Sequence, residues 1–137
     1  MDSETDVGVE ISVGDLGCRF VFAGPAFEEH ISVRLENRFV QAGDALVLDP
    51  SLPAFFSELH ELWRGWDGER DWSSVTGNCT LSARHDRVGH VSLTMKLHDW
   101  GMTDQAPRNG GDWTASLAVV VEPSSLASIA ERLRELL

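Results

Sequence analysis

Asp86, His90 and Ser92 come nearest, by type and spacing, to a set that could do chemistry. An aspartate beside a histidine can hold an imidazole ready for general base work, and Ser92, two residues on along the same strand face, carries a hydroxyl. What a hydrolase adds is missing, because no GxSxG elbow strains and exposes that serine. An Asp and a His at a hairpin end then make a surface pair, and no catalytic residue is assigned. Metal chemistry fails on spacing. His30, His60, His85, His90 and His98 are scattered, His60-Glu61 lacks a second histidine one helical turn away, and no cysteine stands at zinc distance. Asp67-Gly68-Glu69-Arg70-Asp71 sets alternating acids about a glycine, but lacks the rest of a calcium loop and reads as a solvated connection. Phosphate-cradling loops of the GxxxxGKS or GxGxxG kind do not occur. Neither a metal nor a cofactor is expected.

A second cluster points to recognition instead. Trp63-Arg64-Gly65-Trp66-Asp67-Gly68-Glu69-Arg70-Asp71-Trp72 mixes tryptophans with acids and arginines, the composition of a contact site with aromatic anchors. Trp66, Asp67, Glu69, Asp71 and Trp72, joined by Asp86 and His90, form the candidate partner-binding set. The competing reading places Trp63 and Trp66 at the end of a helix's core stripe and Trp72 beneath the following strand. With 22 acidic against 11 basic residues, the net charge is -11. Such a charge disfavours nucleic acid and anionic membrane surfaces, and it attracts a basic protein partner. Acidity also serves solubility alone.

The elements that must position these residues announce themselves through a repeated helix entrance. Leu46-Val47-Leu48-Asp49-Pro50-Ser51-Leu52 is echoed by Val119-Val120-Val121-Glu122-Pro123-Ser124-Ser125-Leu126. Proline suits the first helical position, where its missing N–H costs nothing, and the preceding acid meets the positive end of the helix dipole. Beyond the first entrance Leu52, Phe55, Phe56, Leu59, Leu62, Trp63 and Trp66 form a helical stripe expected to stop near Gly65 to Gly68. Beyond the second, Leu126, Ile129, Ala130, Leu133 and Leu137 do the same.

Strands show as alternation. Val7 to Val13, then a Gly14-Asp15-Leu16-Gly17 turn into Cys18, Phe20 and Phe22, make a first hairpin. Ile31, Val33 and Leu35 follow, with a Gly43-Asp44 turn leading into residues 45 to 48. Then come Val75 to Arg84, Val91 to Leu97 and Trp113 to Val121. In the hairpin Asp86-Arg87-Val88-Gly89, a type I turn with a G1 bulge pairs residue 86 with 90, Arg84 with Ser92, Ser82 with Thr94, Thr80 with Lys96 and Asn78 with His98, and places His85 on the inner face. Asp99 to Asp112, with Trp100 and Met102, reads as a mobile loop.

The expected class is α+β: one antiparallel sheet of about six or seven strands with two helices on one face. It would comprise two similar meander-plus-helix halves, at about 7–66 and 72–137, in a single domain spanning 1–137, each helix closing its own meander. Cys18 and Cys79 fall on apolar strand parity and read as reduced, structural thiols. Without a basic apolar leader or a run of about 18 apolar residues, the cytoplasm is the expected location.

At these residues the chain also carries a resemblance. The Trp63 to Arg70 segment, Trp72-Ser73-Ser74, Ala83-Arg84-His85-Asp86-Arg87-Val88-Gly89-His90-Val91 and the closing Glu122-Pro123 helix resemble a family of small bacterial domains of unknown function, over about residues 46 to 137. The resemblance implies no established activity and brings no catalytic residues. More loosely, the layout is similar to immunity proteins of the wall-associated toxin type, with a strand-rich body and a Leu-rich helix before the central strands. The leading expectation is therefore a non-catalytic, acidic protein-binding domain, an immunity-type or accessory protein that meets a basic protein partner. A small-molecule-binding protein or enzyme using a pocket between helices and sheet is the alternative, and a homodimer or larger homo-oligomer built through a strand edge or the Ser/Thr-rich sheet face is the third.

Overall fold

Strand alternation and turn chemistry divide the chain into two meanders in the computed structural model, which describes residues 9–15, 17–27, 29–47, 49–99 and 113–136. The first comprises β1 (Val9–Gly14), β2 (Cys18–Phe27), β3 (His30–Asn37) and β4 (Gln41–Val47), antiparallel in that order, followed by α1 (Ser51–Glu61). The second comprises β5 (Glu69–Ser73), β6 (Cys79–His85), β7 (Val91–Asp99) and β8 (Trp113–Val121), again in chain order, followed by a 3-10 turn (Pro123–Ser125) and α2 (Leu126–Leu136).

The fold is α+β, but its strands form two four-stranded sheets rather than one sheet of six or seven. The strand concealed from sequence reading is β5. Its acids mimic a solvated connection, yet Glu69 pairs with Arg84, Asp71 with Ser82 and Trp72 with Leu81. Cross-strand partners satisfy the charge: Arg84 Nη2 lies 3.4 Å from Glu69 Oε2, and Ser82 Oγ donates to Asp71 Oδ1 at 2.8 Å. Charged residues on an edge strand also discourage pairing with another chain.

Two boundaries move for local reasons. Gly43 and Asp44 lie inside β4 opposite Arg34 and Val33, and the turn comes earlier, where Asn37 Oδ1 accepts the N–H groups of Phe39 (2.8 Å) and Val40 (2.9 Å). Val75 is exposed in the β5–β6 turn rather than in a strand, and the apolar face of β6 starts at Cys79. The first hairpin turn stands where expected. Gly14 takes φ +121°, and a Cβ there would collide with the Cys18 carbonyl.

The first helix entrance works through its acid and proline, the second through its proline and the backbone of its acid. Pro50 already has helical angles (φ -63°, ψ -13°), and Asp49 Oδ1 accepts the Ser51 N–H at 2.9 Å. At the second entrance Pro123 opens the 3-10 turn, and the Glu122 carbonyl accepts the Ser125 N–H at 3.0 Å. The helices pack on one another, but neither simply closes its own meander. α2 lies on β1 and β2 of the first sheet, while α1 reaches β5 of the second through Trp72 Nε1 to Ser51 Oγ (2.8 Å) and the Arg70–Glu58 pair (3.6 Å). Inner-face residues of both sheets and both helix stripes, among them Phe20, Phe22, Phe56, Leu81, Met95 and Leu133, make one contiguous apolar cluster. Val7, Leu16, Leu48, residues 100–112 and Leu137, to which the sequence pattern assigns places, lie outside the described residues.

Candidate functional site

The β6–β7 hairpin has the register that turn and parity demand: Arg84 pairs with Ser92, Ser82 with Thr94 and Thr80 with Lys96. The Asp86 N–H donates to the His90 carbonyl at 3.1 Å, and the His98 N–H to that of Asn78 at 2.8 Å. Gly89 takes the expected left-handed conformation, at φ +104°. Arg87 departs from a type I turn with φ +67°, because its N–H is drawn to His85 Nδ1 at 2.7 Å. Asp86 Oδ1 accepts from the N–H groups of Val88 (2.8 Å) and His90 (2.9 Å), and its Oδ2 lies 3.1 Å from His90 Nδ1. This is a capped turn with a histidine at its rim.

Those contacts hold the Asp86 carboxyl below the usual aspartate range, the backbone N–H groups of His90 and Val88 acting first and the His90 ring after them. A depressed folded pKa contributes stability that is complete above the ordinary aspartate value and lost as pH falls through the folded one. Asp86→Ala is therefore expected to melt below wild type at neutral pH, with the difference shrinking on acidification. A difference in melting temperature that stays constant through the carboxylate range would refute this role.

The tryptophan segment separates into inside and outside. Trp66 is 7% exposed, donates Nε1–H to the Ala83 carbonyl at 3.2 Å and meets the His85 ring edge-on at 5.2 Å. Trp72 is 8% exposed and is tied to Ser51. Neither offers its ring to a partner, so two of the seven candidate residues belong to the core. Trp63 is the reverse. Placed in the core stripe by its spacing, it is 54% exposed, because α1 ends at Glu61 and Leu62 (φ -98°, ψ 27°) leaves the helix. The Arg64 guanidinium stacks on its ring, 5.1 Å from the centroid. An apolar groove of about 300 Å³ lies beside it, lined by His60, Trp63, Pro123 and Ser124.

The remaining candidates surround this exit from α1. His85 Nε2 lies 3.0 Å from the Trp63 carbonyl, which joins the helix exit to the end of β6. Gly65, at φ +126°, passes so close to His85 that a Cβ would lie 3.2 Å from Nδ1. Arg87 pairs with Asp67, and Arg84 with Glu69. Asp67, Glu69, Asp71, Asp86 and His90 are thus surface residues at or beside one end of the second sheet, with Trp63 as their exposed aromatic neighbour. The distinguishing signal for Trp63 was Gly65, which stops a helix stripe from continuing through it.

Among the described residues, five of the Lys and Arg side chains are spent in ion pairs within the chain. Arg19 and Arg34 both hold Glu36, at 2.7 and 2.8 Å, and Arg70, Arg84 and Arg87 each hold an acid. The Arg34 and Arg19 hydrogen bonds keep the Glu36 carboxyl below its usual range. Glu61, Asp71, Glu131 and Glu135 make no ion pair with the described residues. Burial, then the nearby Asp44 charge, pushes the Cys79 thiol up to about 12, so it is no nucleophile at neutral pH. Among the described residues no group of three or more His, Cys, Asp or Glu is placed to hold a metal, and no helix is long and apolar enough to cross a membrane.

Neither a curated protein nor a solved structure matches the chain. A family model does match, and it covers residues 25–137, most of both sheets and both helices. The chain therefore belongs to DUF6228, a family of unknown function.

Proposed function

We propose that this is a non-catalytic protein-binding domain, an immunity-type or accessory protein, whose acidic surface receives a basic protein partner with Trp63 as the anchor. The observation that carries the reading is the half-exposed Trp63 ring beside its apolar groove. A tryptophan left in water is costly unless something covers it, and tryptophans dominate the energetics of protein contacts. Glu61 and Asp71, which make no ion pair with the described residues, together with the charge of -11, supply steering for a basic partner. Asp86 spends its carboxylate on its own turn and on His90, a capping role rather than an acid–base one.

The test is calorimetric titration with a purified basic protein encoded beside this gene, at low and raised salt. Trp63→Ala should weaken binding about thirtyfold, the loss typical of an aromatic hot spot, without lowering the melting temperature. Binding to wild type should also weaken as salt rises. Equal affinity of wild type and Trp63→Ala, or affinity indifferent to salt, would count against the reading.

A further inference from the structure

A cleft of about 440 Å³ lies where the two halves meet. Its walls are the free edge of β1, the end of β8 and the length of α2. β1 and β8 approach at Gly14 and Val119 and part toward α2, leaving a wedge floored by Ile11, Val13 and Ile129. A pocket of this size at a junction between structural units is where ligands commonly sit.

Three features define what would fit. The first is an open strand edge. Arg132 Nη2 donates to the Glu10 carbonyl at 2.9 Å, which shows that Glu10 points its main-chain groups away from β2. Alternate residues of a strand point the same way, so the N–H and C=O of Ser12 face the cleft as well. The second is charge at both ends. Ser125 closes the 3-10 turn, Ser128 and Arg132 follow it on α2, and from Glu122 to Arg132 the axis rises about 16 Å, at about 2 Å per residue through the turn and about 1.5 Å through the helix. The Arg132 guanidinium marks one end and the Glu122 carboxylate, just before the 3-10 turn, marks the other. The third is a set of hydroxyls between them. Those of Ser12, Ser124 and Ser128 make no hydrogen bond within the described residues, whereas that of Ser125 donates to the Glu122 carbonyl.

We propose that this cleft binds a short free peptide of about five residues in extended form, since amine and carboxylate are then about 17 Å apart at about 3.4 Å per residue, close to the span from Glu122 to Arg132. The carboxylate meets Arg132, the amine meets Glu122, and the main chain pairs with the Ser12 edge in the manner of an added strand. The cleft adjoins the Trp63 groove at Ser124, but Ser12, Ser128 and Arg132 lie outside that groove, so the two readings can fail separately.

Isotope-labelled protein titrated with pentaalanine, followed by amide shifts, tests it. Saturable shifts should cluster at Ser12, Gly14, Ser124, Ser128 and Arg132. Acetylating and amidating the peptide, or making Arg132→Gln or Glu122→Gln alone, should each weaken binding at least about tenfold, with the melting temperature of both surface variants unchanged. The proposal is overturned if no saturable shift is reached at the solubility limit of the peptide, if free and capped pentaalanine bind alike, or if the shifts centre on Trp63.

Discussion

Phe56→Asp is expected to abolish the cooperative fold. Phe56 is fully buried on α1, packs edge-on against Phe55 with ring centroids 5.5 Å apart, and lies in the cluster that both sheets and both helices share. Removing a buried phenylalanine ring costs about 3–5 kcal/mol, and an unpaired carboxylate in its place adds a desolvation penalty of several more. A domain stable by about 5–15 kcal/mol has little left after that. The exchanged helices make the loss global, since α1 supports α2 and α2 covers β1 and β2. Far-ultraviolet circular dichroism should lose its folded signature, and no melting transition should remain. The control is Phe39→Asp, where the ring is 84% exposed in the β3–β4 turn and the same change should leave melting within a few degrees. If Phe56→Asp kept the spectrum and melting temperature of wild type, the core would be assigned to the wrong residues.

The contrast between Phe56 and Phe39 also marks what the chain discloses before folding. Helical spacing placed Phe55, Phe56 and Leu59 inside because one face of a helix is decided locally. Parity and Gly89 settled the β6–β7 register because a slip by one residue would turn Ala83 and Leu81 outward. β5 was hidden because its stabilising partners, Arg84 and Ser82, are distant in sequence, and an isolated run of acids carries no sign of them. Gly43 was misleading for a related reason. Asn37 outcompetes it as the turn by capping two N–H groups, which leaves Gly43 within the strand. Which sheet each helix covers was not legible either, since an apolar stripe specifies burial and not the surface that provides it. At the candidate site the acids lie on the outside, the core reading of the tryptophans holds for Trp66 and Trp72, and it fails for Trp63. Trp63 continues the stripe on paper, but the backbone has left the helix by Leu62, and the side chain follows it into solvent.

Asn78→Ala should lower the melting temperature by roughly 5–10 °C, the shift expected for about 2 kcal/mol in a chain of this size. Asn78 is the polar joint between the two sheets. Its Nδ2 donates to Asp44 Oδ2 at 3.1 Å and to the Ala45 carbonyl at 2.9 Å, both on β4, while its Oδ1 accepts from Ser74 Oγ at 2.7 Å and Thr76 Oγ1 at 2.9 Å. Ser74 Oγ in turn accepts the Cys79 N–H at 3.1 Å, so the network runs from the edge of one sheet to the start of β6 in the other. Alanine leaves those partners half-satisfied, at about 1–3 kcal/mol for each group that stays dry, and partial access of water keeps the sum near the lower end. Asn78→Asp separates the electrostatic part from the rest. It preserves shape but sets a second carboxylate against Asp44, so near neutral pH it should melt below Asn78→Ala, and acidification through the carboxylate range should raise it toward that variant as one of the pair takes a proton. A wild-type melting temperature for Asn78→Ala would show that apolar burial alone joins the sheets. An Asn78→Asp deficit that ignores pH would remove Asp44 from the joint.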